Sequence, residues 1–445
     1  MKISFLIINE REKMDTKEIR WKRLSDEVTR KGGNGEAFVA AMKEQYAIHS
    51  KKVLVWLAGL YDPNVGGFYF SNSARDNEYM EYNGEKHILL PDIESTNQAL
   101  GFLESCGFIK EGDYSRLPLT MQNKISEFVC SLEDPDDGFF YHPQWGKNIT
   151  DNRRGRDHMW AQELRANLHF DFPYPTAEER LAQISDCISK GEKVDYEFPE
   201  HLKSKEAFIK YLDTLDWKQD AYAAGNLIAA QVSVIKAAGL DKVAVNYLDS
   251  IQNKENGMWG ERTGYPAVNA HMKISCFYEY SENMIPNASK AVDAILETLC
   301  SDTPTETVCW QYNTWFSIQN ILLNLRKFGG EAGNREADEI VSKVVRMAPQ
   351  GIKANIWKVK RFMKPDGSCS YTPNATSTTS PGAFVAVNGA NEGDVNATCI
   401  NILGTIDRMY RAAELDDFIV PIFDDEDFDF FLMALGEAEE KYYRK

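Results

Sequence analysis

Carboxylate and histidine side chains that could transfer protons stand near the starts of several helical stretches in this 445-residue sequence. The candidates for acid–base catalysis are Asp92, Glu94, Asp157, His271, Glu392 and Asp394. Carboxyl groups that lie close together raise one another's pKa, so that one can act as a general acid while another stays ionised. A fold that brings these residues together would therefore hold an acid–base site.

A second set of residues, in or next to the first turns of the same stretches, has the side-chain types that bind small polar molecules. These candidate substrate-binding residues are Trp160, Asp220, Tyr222, Arg262, Tyr265, Asn269, Trp310, Tyr312, Asn313 and Asn396. Trp and Tyr rings at the level of a pocket would stack on a sugar or stabilise a carbocation. The same rings also suit packing in a core.

The candidate carboxylates have a structural alternative as helix N-caps, where an Asp contributes about 1 kcal/mol without any catalysis. The residues at cap positions are Asp92, Asp157, Asp220 and Asp394. Glu94 and Glu392 are not needed as caps if their neighbours cap, which favours a functional role for these two. A lone helical histidine such as His271 has its own alternative, a hydrogen-bonded structural role.

Helices must position all of these residues, and a recurring glycine turn shows where the helices end. The four turns are Asp62–Phe70, Asp134–Tyr141, Gln252–Gly260 and Lys364–Tyr371. Each follows a stretch with apolar residues at three- and four-residue spacing, as a one-sided helix requires. Pro or Asp ends the helix, Gly supplies a positive φ, and the aromatics that follow fill the gap between neighbouring hairpins.

Two kinds of helix alternate along the chain. The helices rich in small and apolar residues are predicted at Asp92–Cys106, Asp157–Phe170, Gln219–Gln231, Tyr265–Tyr280, Val308–Leu323 and Asp394–Tyr410. Charged amphipathic helices are predicted between them at 35–60, 116–132, 201–215, 240–252, 287–300 and 335–363. Six inner and six outer helices are the pattern of a closed (α/α)6 toroid, and an open superhelix is the alternative.

The predicted fold class is therefore all-α, a single six-hairpin toroid domain with short extensions. We expect an N-terminal extension at 1–33, the toroid at 34–415 and an acidic helical cap at 416–445. In such a ring the first turns of the inner helices face one mouth of a central pocket. The acidic run Asp424–Asp429 falls after the ring closes, and we expect it to cap the C-terminal helix.

The Gln252–Trp259 stretch resembles the Gln-x-x-x-Gly-x-Trp turn of squalene and terpenoid cyclases and of protein prenyltransferase β subunits. The other three turns resemble degenerate forms of it, and Asp92–Thr96 and Asp394–Thr398 share a polar Asp-x-x-x-Thr opening. The resemblance implies the toroid fold. It does not carry an activity, since the same fold also hosts glycoside hydrolases, polysaccharide lyases and binding proteins.

Two departures separate this chain from the enzymes of those families. Prenyltransferases hold zinc through an Asp, a Cys and a later His, but no His follows His271 to complete Asp394 and Cys399. Squalene-type cyclases use an Asp-x-Asp-Asp box ahead of an inner helix, whereas the match here, Asp134–Asp137, lies inside a glycine turn. For uronate lyases on this fold, Tyr265, Asn269 and His271 could supply base, acid and amide, although residues two apart do not share a helix face.

Composition narrows the possible partners. A formal charge of −17 argues against nucleic acid and against an anionic membrane surface. Eight scattered cysteines without a Cys-x-x-Cys pair indicate reduced thiols and predict no metal site. No cofactor is indicated. The short apolar run at 3–8 predicts no signal peptide, which makes a cytoplasmic location the expectation.

Three functions remain open. The favoured hypothesis is a glycoside hydrolase or a polysaccharide or uronide lyase that acts on a small saccharide through carboxylate acid–base catalysis. The alternatives are an isoprenoid cyclase or prenyltransferase-like enzyme and a non-catalytic toroid that binds a small molecule. The partner in each case is a saccharide or an isoprenoid, and the sequence leaves the oligomeric state open.

Overall fold

The structure is a computed structural model that describes residues 17–76, 79–190, 197–377, 379–380 and 382–444, and helix dominates these residues. The α-helices are α1 (17–30), α2 (Gly35–Tyr46), α3 (Lys52–Leu60), α4 (Asn72–Arg75), α5 (Ile93–Ser105), α6 (Leu119–Ser131), α7 (Asp151–Leu168), α8 (Ala177–Ser189), α9 (Lys205–Thr214), α10 (Ala221–Ala230), α11 (Val232–Ala237), α12 (Asp241–Ile251), α13 (Tyr265–Tyr280), α14 (Ala288–Cys300), α15 (Val308–Phe328), α16 (Gly330–Lys360), α17 (Val395–Cys399), α18 (Thr405–Arg411) and α19 (Asp425–Ala438). A π-helical turn at Ile400–Gly404 joins α17 to α18.

Strands are short and form three antiparallel pairs. They are β1 (Tyr61–Asp62) with β2 (Gly67–Phe68), β3 (Tyr79–Tyr82) with β4 (Glu85–Ile88), and β5 (Thr379–Ser380) with β6 (Ala383–Phe384). The first and third pairs lie in the connections before α5 and α17. The prediction of a helical fold class is confirmed.

Six helices contact one another in a cyclic order. In chain order these are α5, α7, α10, α13, α15 and the α17–α18 helix, and each contacts the next. The last of them returns to the first, because α17 contacts α5. These are the six small-residue helices that the sequence predicts, and we call them the inner helices.

Several of the other helices pack against this set and bury apolar residues there. α6 contacts α7, α14 contacts α13 and α15, and α16 contacts α15. The buried apolar side chains form two large clusters, one mainly within 202–352 and the other mainly within 53–164 and 362–434. Helix α1 contributes Trp21, Leu24 and Val28 to the first cluster.

Each of the four glycine turns is closed by a hydrogen bond from a positive-φ glycine, and three of them share one geometry. In three of them the amide N–H of the positive-φ glycine donates to the carbonyl of the Asp or Asn four residues earlier, at 2.8 Å for Gly66, Gly138 and Gly257. In the fourth, Gly367 donates to the Lys364 carbonyl at 3.0 Å. The predicted positive φ is confirmed, and in the first turn it belongs to Gly66 rather than Gly67.

Each of these glycines also lies against the backbone of a helix start or an outer helix, where a side chain would not fit. An ideal Cβ would lie 2.2 Å from the Lys124 carbonyl oxygen at Gly66 and 2.4 Å from the Pro175 carbonyl oxygen at Gly138. At Gly257 it would lie 2.7 Å from the amide nitrogen of Ala291 in α14, and at Gly367 2.9 Å from the amide nitrogen of Val53 in α3. The last of the four turns therefore packs on α3, which precedes the first of them in the chain.

The Asp-x-x-x-Thr openings connect two of these turns to the inner helices that follow. The Phe68 amide donates to the Thr96 hydroxyl at 3.0 Å, and the Cys369 amide donates to the Thr398 hydroxyl at 2.9 Å. Phe68 and Cys369 each lie two residues beyond the positive-φ glycine. The threonine thus satisfies a buried backbone donor that the turn leaves free.

Some predicted boundaries are wrong. The stretch 35–60 forms two helices, since residues 47–51 break it, and α7 begins at Asp151 rather than Asp157. The acidic run at Asp424 does cap the C-terminal helix, through a capping box in which Asp424 and Asp427 each accept the other's backbone amide. Residues 1–16, which hold the apolar run considered above, lie outside the described residues.

No helix in the described ranges is both long and apolar enough to cross a membrane.

Replacing Gly138 by Ala tests the close approach of turn and neighbouring backbone. Gly239 is the matched control, because its φ of 69° is close to the 71° of Gly138, while a Cβ at Gly239 would meet none of the described atoms within 4 Å. Both variants should lose about 1 kcal/mol through positive φ, and Gly138→Ala should lose about 1–3 kcal/mol more through overpacking. Equal losses in urea unfolding would contradict the packing role.

Candidate functional site

Three of the predicted aspartates begin inner helices as N-caps. Asp92 accepts from the Ser95 amide at 3.0 Å, and Asp394 accepts from the Ala397 amide at 2.7 Å. Asp220 accepts from the Ala223 amide at 3.1 Å and stays exposed, whereas the other two are fully buried. The structural alternative raised by the sequence applies to all three.

A buried arginine joins the starts of α5 and α7. Arg153 donates through Nη2 to Asp92 at 2.7 Å and through Nε to Asp157 at 2.8 Å, and all three side chains are at most 1% exposed. Charges this deep are tolerated only when they are paired and hydrogen-bonded. Arg153 therefore holds two carboxylates in place and leaves neither free for solvent.

Asp157 is not a cap, contrary to the prediction, because it lies in the interior of α7. Burial raises the pKa of Asp157 to about 7, although the Arg153 guanidinium opposes the shift. Burial likewise raises the pKa of Asp394 to about 7, against its hydrogen bonds from Ala397 and Thr376. Burial thus favours the protonated form of each carboxyl group.

Glu94 and Arg156 form a second ion pair one turn further along. Arg156 donates to Glu94 at 2.5 and 3.1 Å, and Gln98 donates to the same carboxylate at 3.0 Å. Burial alone would raise the pKa of Glu94, but Arg156 and Arg153 hold it below its usual value. The guanidinium of Arg156 also lies 5.6 Å from the ring of Trp160. Glu94 thus fixes the orientation of Arg156.

Several side chains on the inner helices are accessible to solvent and yet surrounded by protein. Tyr222 exposes 41% of its surface, but burial raises its pKa to about 12. Tyr280 exposes 52%, and burial raises its pKa too. Glu163 is exposed, and burial raises its pKa to about 7. From these two properties together we infer that the three side chains, which lie on α7, α10 and α13, face a recess between these helices.

Lys273 is the most unusual group in this recess. Its Nζ lies 5.8 Å from the centre of the Tyr222 ring, and within the described ranges no carboxylate lies at ion-pair distance from it. Burial lowers the pKa of Lys273 to about 8, and the positive charge of Arg156 acts in the same direction. An amine with this pKa is partly neutral at physiological pH.

Two further groups interact electrostatically with Tyr222, and one of them, Cys309, also acts on Lys273. Cys309, at the start of α15, has its pKa raised to about 12 by burial and by the charge of Asp394. Tyr371, from the fourth glycine turn, has its pKa raised by Cys309, by burial and by Tyr222. The recess thus has a cationic and phenolic end, to which α7, α10 and α15 contribute residues from their first two turns and α13 contributes Lys273 from its middle.

Four predicted residues lie elsewhere or have other roles. His271 is buried against Trp259 at 5.4 Å between ring centres, away from Lys273, and burial lowers its pKa to about 4. Glu392 accepts from the amide and the hydroxyl of Ser73 and so caps α4, which removes the reason for favouring it. Asp220 caps α10 at the surface, and Arg262 is exposed ahead of α13.

Other predicted residues tie inner helices together. The Asn313 amide donates to Asn269 at 3.0 Å, which links α15 to α13. The Arg408 Nε donates to the Tyr312 hydroxyl at 3.2 Å, which links α18 to α15. Asn396 is buried in the first turn of α17.

Tyr265 belongs to a buried polar chain rather than to the open part of the recess. Lys358 donates to the Tyr265 hydroxyl at 2.7 Å, and this hydroxyl donates to Gln311 at 3.2 Å. The Tyr265 ring stacks on Trp310 with 5.5 Å between centres. Tyr265 is 2% exposed.

Sequence reasoning missed Lys273, Cys309, Tyr371 and the bridging role of Arg153. One signal was present for Lys273. It continues a series with Asn269, Cys276 and Tyr280 at helical spacing along one side of α13. His271 lies between these positions and therefore points elsewhere. A polar stripe on an otherwise apolar inner helix marks the side that faces the recess.

The buried cap Asp394 gives a prediction on stability and pH. Its pKa is about 7 in the fold and about 3.9 in an unfolded chain, so the folded state keeps a proton that the unfolded state loses. The free energy of unfolding contributed by this group therefore falls as pH rises from about 4 to about 7, and it is constant above. Asp394→Asn keeps a capping oxygen but has no titratable proton at this position. Its free energy of unfolding, relative to that of the wild type, should therefore rise between about pH 4 and about pH 7.

Urea unfolding at several pH values measures this difference, with Asp220→Asn as the matched variant for a cap that solvent reaches. A wild-type-to-Asp394→Asn difference that stays constant between pH 4 and 7 would show that burial does not perturb this carboxyl group.

Within the described part of the chain, no three His, Cys, Asp or Glu side chains are grouped as a metal site. In comparisons with known proteins, no family model matches the chain, and no curated protein and no solved structure is significantly similar to it.

Proposed function

We propose that the chain is an enzyme that binds and turns over a small carboxylated saccharide, a uronide, in the recess between its inner helices. The observation that carries this proposal is the pair of cations in that recess, Arg156 and Lys273, of which Lys273 has no carboxylate partner among the described residues. The chain as a whole is strongly acidic, with a formal net charge of −17, and yet this ammonium lies in the recess without an ion pair among the described residues. A ligand with a negative charge would supply the missing partner.

The proposed architecture is the (α/α)6 toroid. Its support is the cyclic order of contacts among the inner helices, together with the fourth glycine turn, which packs on α3. In a toroid the six inner helices run parallel, and their N-termini share one mouth. Arg156, Tyr222 and Cys309 would then lie around that mouth and Lys273 deeper in the ring, each from a different helix.

The recess suits a sugar acid in shape and chemistry. Glu94 accepts hydrogen bonds from two nitrogen atoms of Arg156 and so fixes the orientation of the guanidinium. The remaining N–H groups of Arg156 can then donate to a ligand carboxylate. Trp160, Tyr222 and Tyr371 are only partly buried or exposed and offer apolar faces to a sugar ring. The charge specifies the carboxylate, and the rings provide contact area.

The pairing of Asp92, Asp394 and Glu94 favours elimination over hydrolysis by these three predicted carboxylates. Asp92 and Asp394 are occupied as caps, and Glu94 is paired with Arg156, so none of these has the free oxygen that a glycosidase needs. In a β-elimination the base removes the proton next to the substrate carboxylate. A neutral Lys273 amine can accept that proton, Arg156 neutralises the charge that develops on the carboxylate, and the Tyr222 phenol donates a proton to the leaving oxygen.

The same cations count against isoprenoid cyclisation. A cyclase must stabilise a carbocation with aromatic faces in a dry cavity. Arg156 and Lys273 would repel such an intermediate at short range. A carrier without catalysis needs only the binding half of the proposal, and a turnover assay separates it from an enzyme.

The binding half is tested by calorimetry with glucuronate and galacturonate, with glucose as the neutral comparison. The uronates should bind and glucose should not, and Lys273→Met and Arg156→Gln should each weaken uronate binding by about tenfold or more, since a charge-assisted contact is worth about 1.5–3 kcal/mol. Lys210→Met on the exposed face of α9 is the matched control. Equal affinity for glucose and glucuronate would refute the proposed ligand class.

The catalytic half is tested on oligouronides by following the ultraviolet absorbance of the conjugated double bond that elimination creates. The pH profile of kcat/KM, which reports the free enzyme, should rise as Lys273 loses its proton, with a midpoint near 8, and turnover should vanish in Lys273→Met. Reducing-end release without that absorbance would indicate hydrolysis instead. Tight uronate binding without any product would indicate a carrier.

A further inference from the structure

We propose that Lys273 is also a nucleophilic amine that condenses with small 2-oxo carboxylates to form an imine in the recess. This inference goes beyond saccharide turnover and does not rest on it. It needs three properties together: an amine that a small molecule can reach, the absence of an ion-pair partner among the described residues, and a second cation to hold the ligand's carboxylate.

The first two properties follow from the surroundings of Lys273. Its side chain is mostly buried but keeps some solvent exposure, and the groups that act on it electrostatically are Arg156, Cys276, Cys309 and Glu94, of which Glu94 is already paired with Arg156. The Tyr222 ring, 5.8 Å away, borders the amine on the side of α10. Within the described ranges, the formation of an imine at Lys273 therefore breaks no ion pair.

The third property is the neighbouring guanidinium. A lysine beside another cation in a desolvated site is the arrangement that makes an amine nucleophilic. Its pKa near 8 leaves a neutral fraction at neutral pH on the order of a hundredfold above that of an ordinary lysine. Arg156 would also attract the carboxylate of a 2-oxo acid and bring its carbonyl carbon toward the amine.

The reaction balances without any further reagent. The lone pair of the neutral Lys273 amine attacks the carbonyl carbon and forms a C–N bond. The carbonyl oxygen leaves as water together with both hydrogens of the amine, which gives the imine. Nothing is oxidised or reduced in this step.

Lys358 is an internal control that the chain itself provides. Burial lowers its pKa to about 8 as well, but its side chain is fully enclosed and donates to Tyr265 and to the Leu299 carbonyl. If a lowered pKa were enough, both lysines would react. If access and an unpaired amine are also required, only Lys273 reacts.

The experiment treats the folded full-length chain with pyruvate and sodium cyanoborohydride at neutral pH and maps reduced adducts by peptide mass spectrometry. We expect one adduct, on Lys273, formed on the order of tenfold faster than on exposed lysines such as Lys327, whose pKa is raised by Glu279. Lys273→Arg, which keeps the charge, should remove this adduct. No adduct on Lys273, or labelling spread evenly over surface lysines, would overturn the proposal.

Acetone, a ketone without a carboxylate, tests the part assigned to Arg156. Pyruvate should label Lys273 faster than acetone in the wild type, and Arg156→Gln should reduce that preference. Equal rates for the two ketones would overturn the carboxylate selectivity. Because labelling requires no saccharide, its result is independent of whether uronides are bound or cleaved.

Discussion

The close approach of four glycine turns to neighbouring backbone is the constraint on which the rest of the structure depends. At Gly66, Gly138, Gly257 and Gly367 no side chain fits without moving backbone atoms, and the last of these contacts returns the chain to α3. The turns therefore set the distance between the helices that they join and the segments on which they pack. They also deliver the residues that follow them, such as Tyr371, to the starts of the inner helices.

Buried polar contacts then fix where the inner helices begin. Threonine hydroxyls accept hydrogen bonds from backbone amides of the turns. Aspartates cap α5 and α17, and Arg153 joins α5 to α7. In these contacts the charged side chains near the helix starts are ion-paired or hydrogen-bonded, and Glu94 is paired with Arg156 in the same way. Among the described residues no carboxylate forms an ion pair with Lys273. Its lack of a partner follows from how the other charged side chains are paired.

The sequence predicted the helices and turns better than the site. Small-residue stretches, cap residues and positive-φ glycines are local features, and Asp92, Asp394 and Gly257 could be assigned from their immediate neighbours. The roles of Glu392 and Asp157 could not, because they depend on Ser73 and Arg153 from other segments or helix faces. Lys273 was overlooked beside His271, since only the direction of each side chain from α13 separates the residue facing the recess from the one in the core.

The most direct measurement is a crystal structure of the chain in complex with glucuronate. The proposed arrangement predicts the sugar in a recess enclosed by six helices, with its carboxylate in contact with the Arg156 guanidinium and the Lys273 ammonium and its ring against an aromatic face. A ligand bound only on the outer surface, or an interior filled by side chains around Lys273, would contradict it.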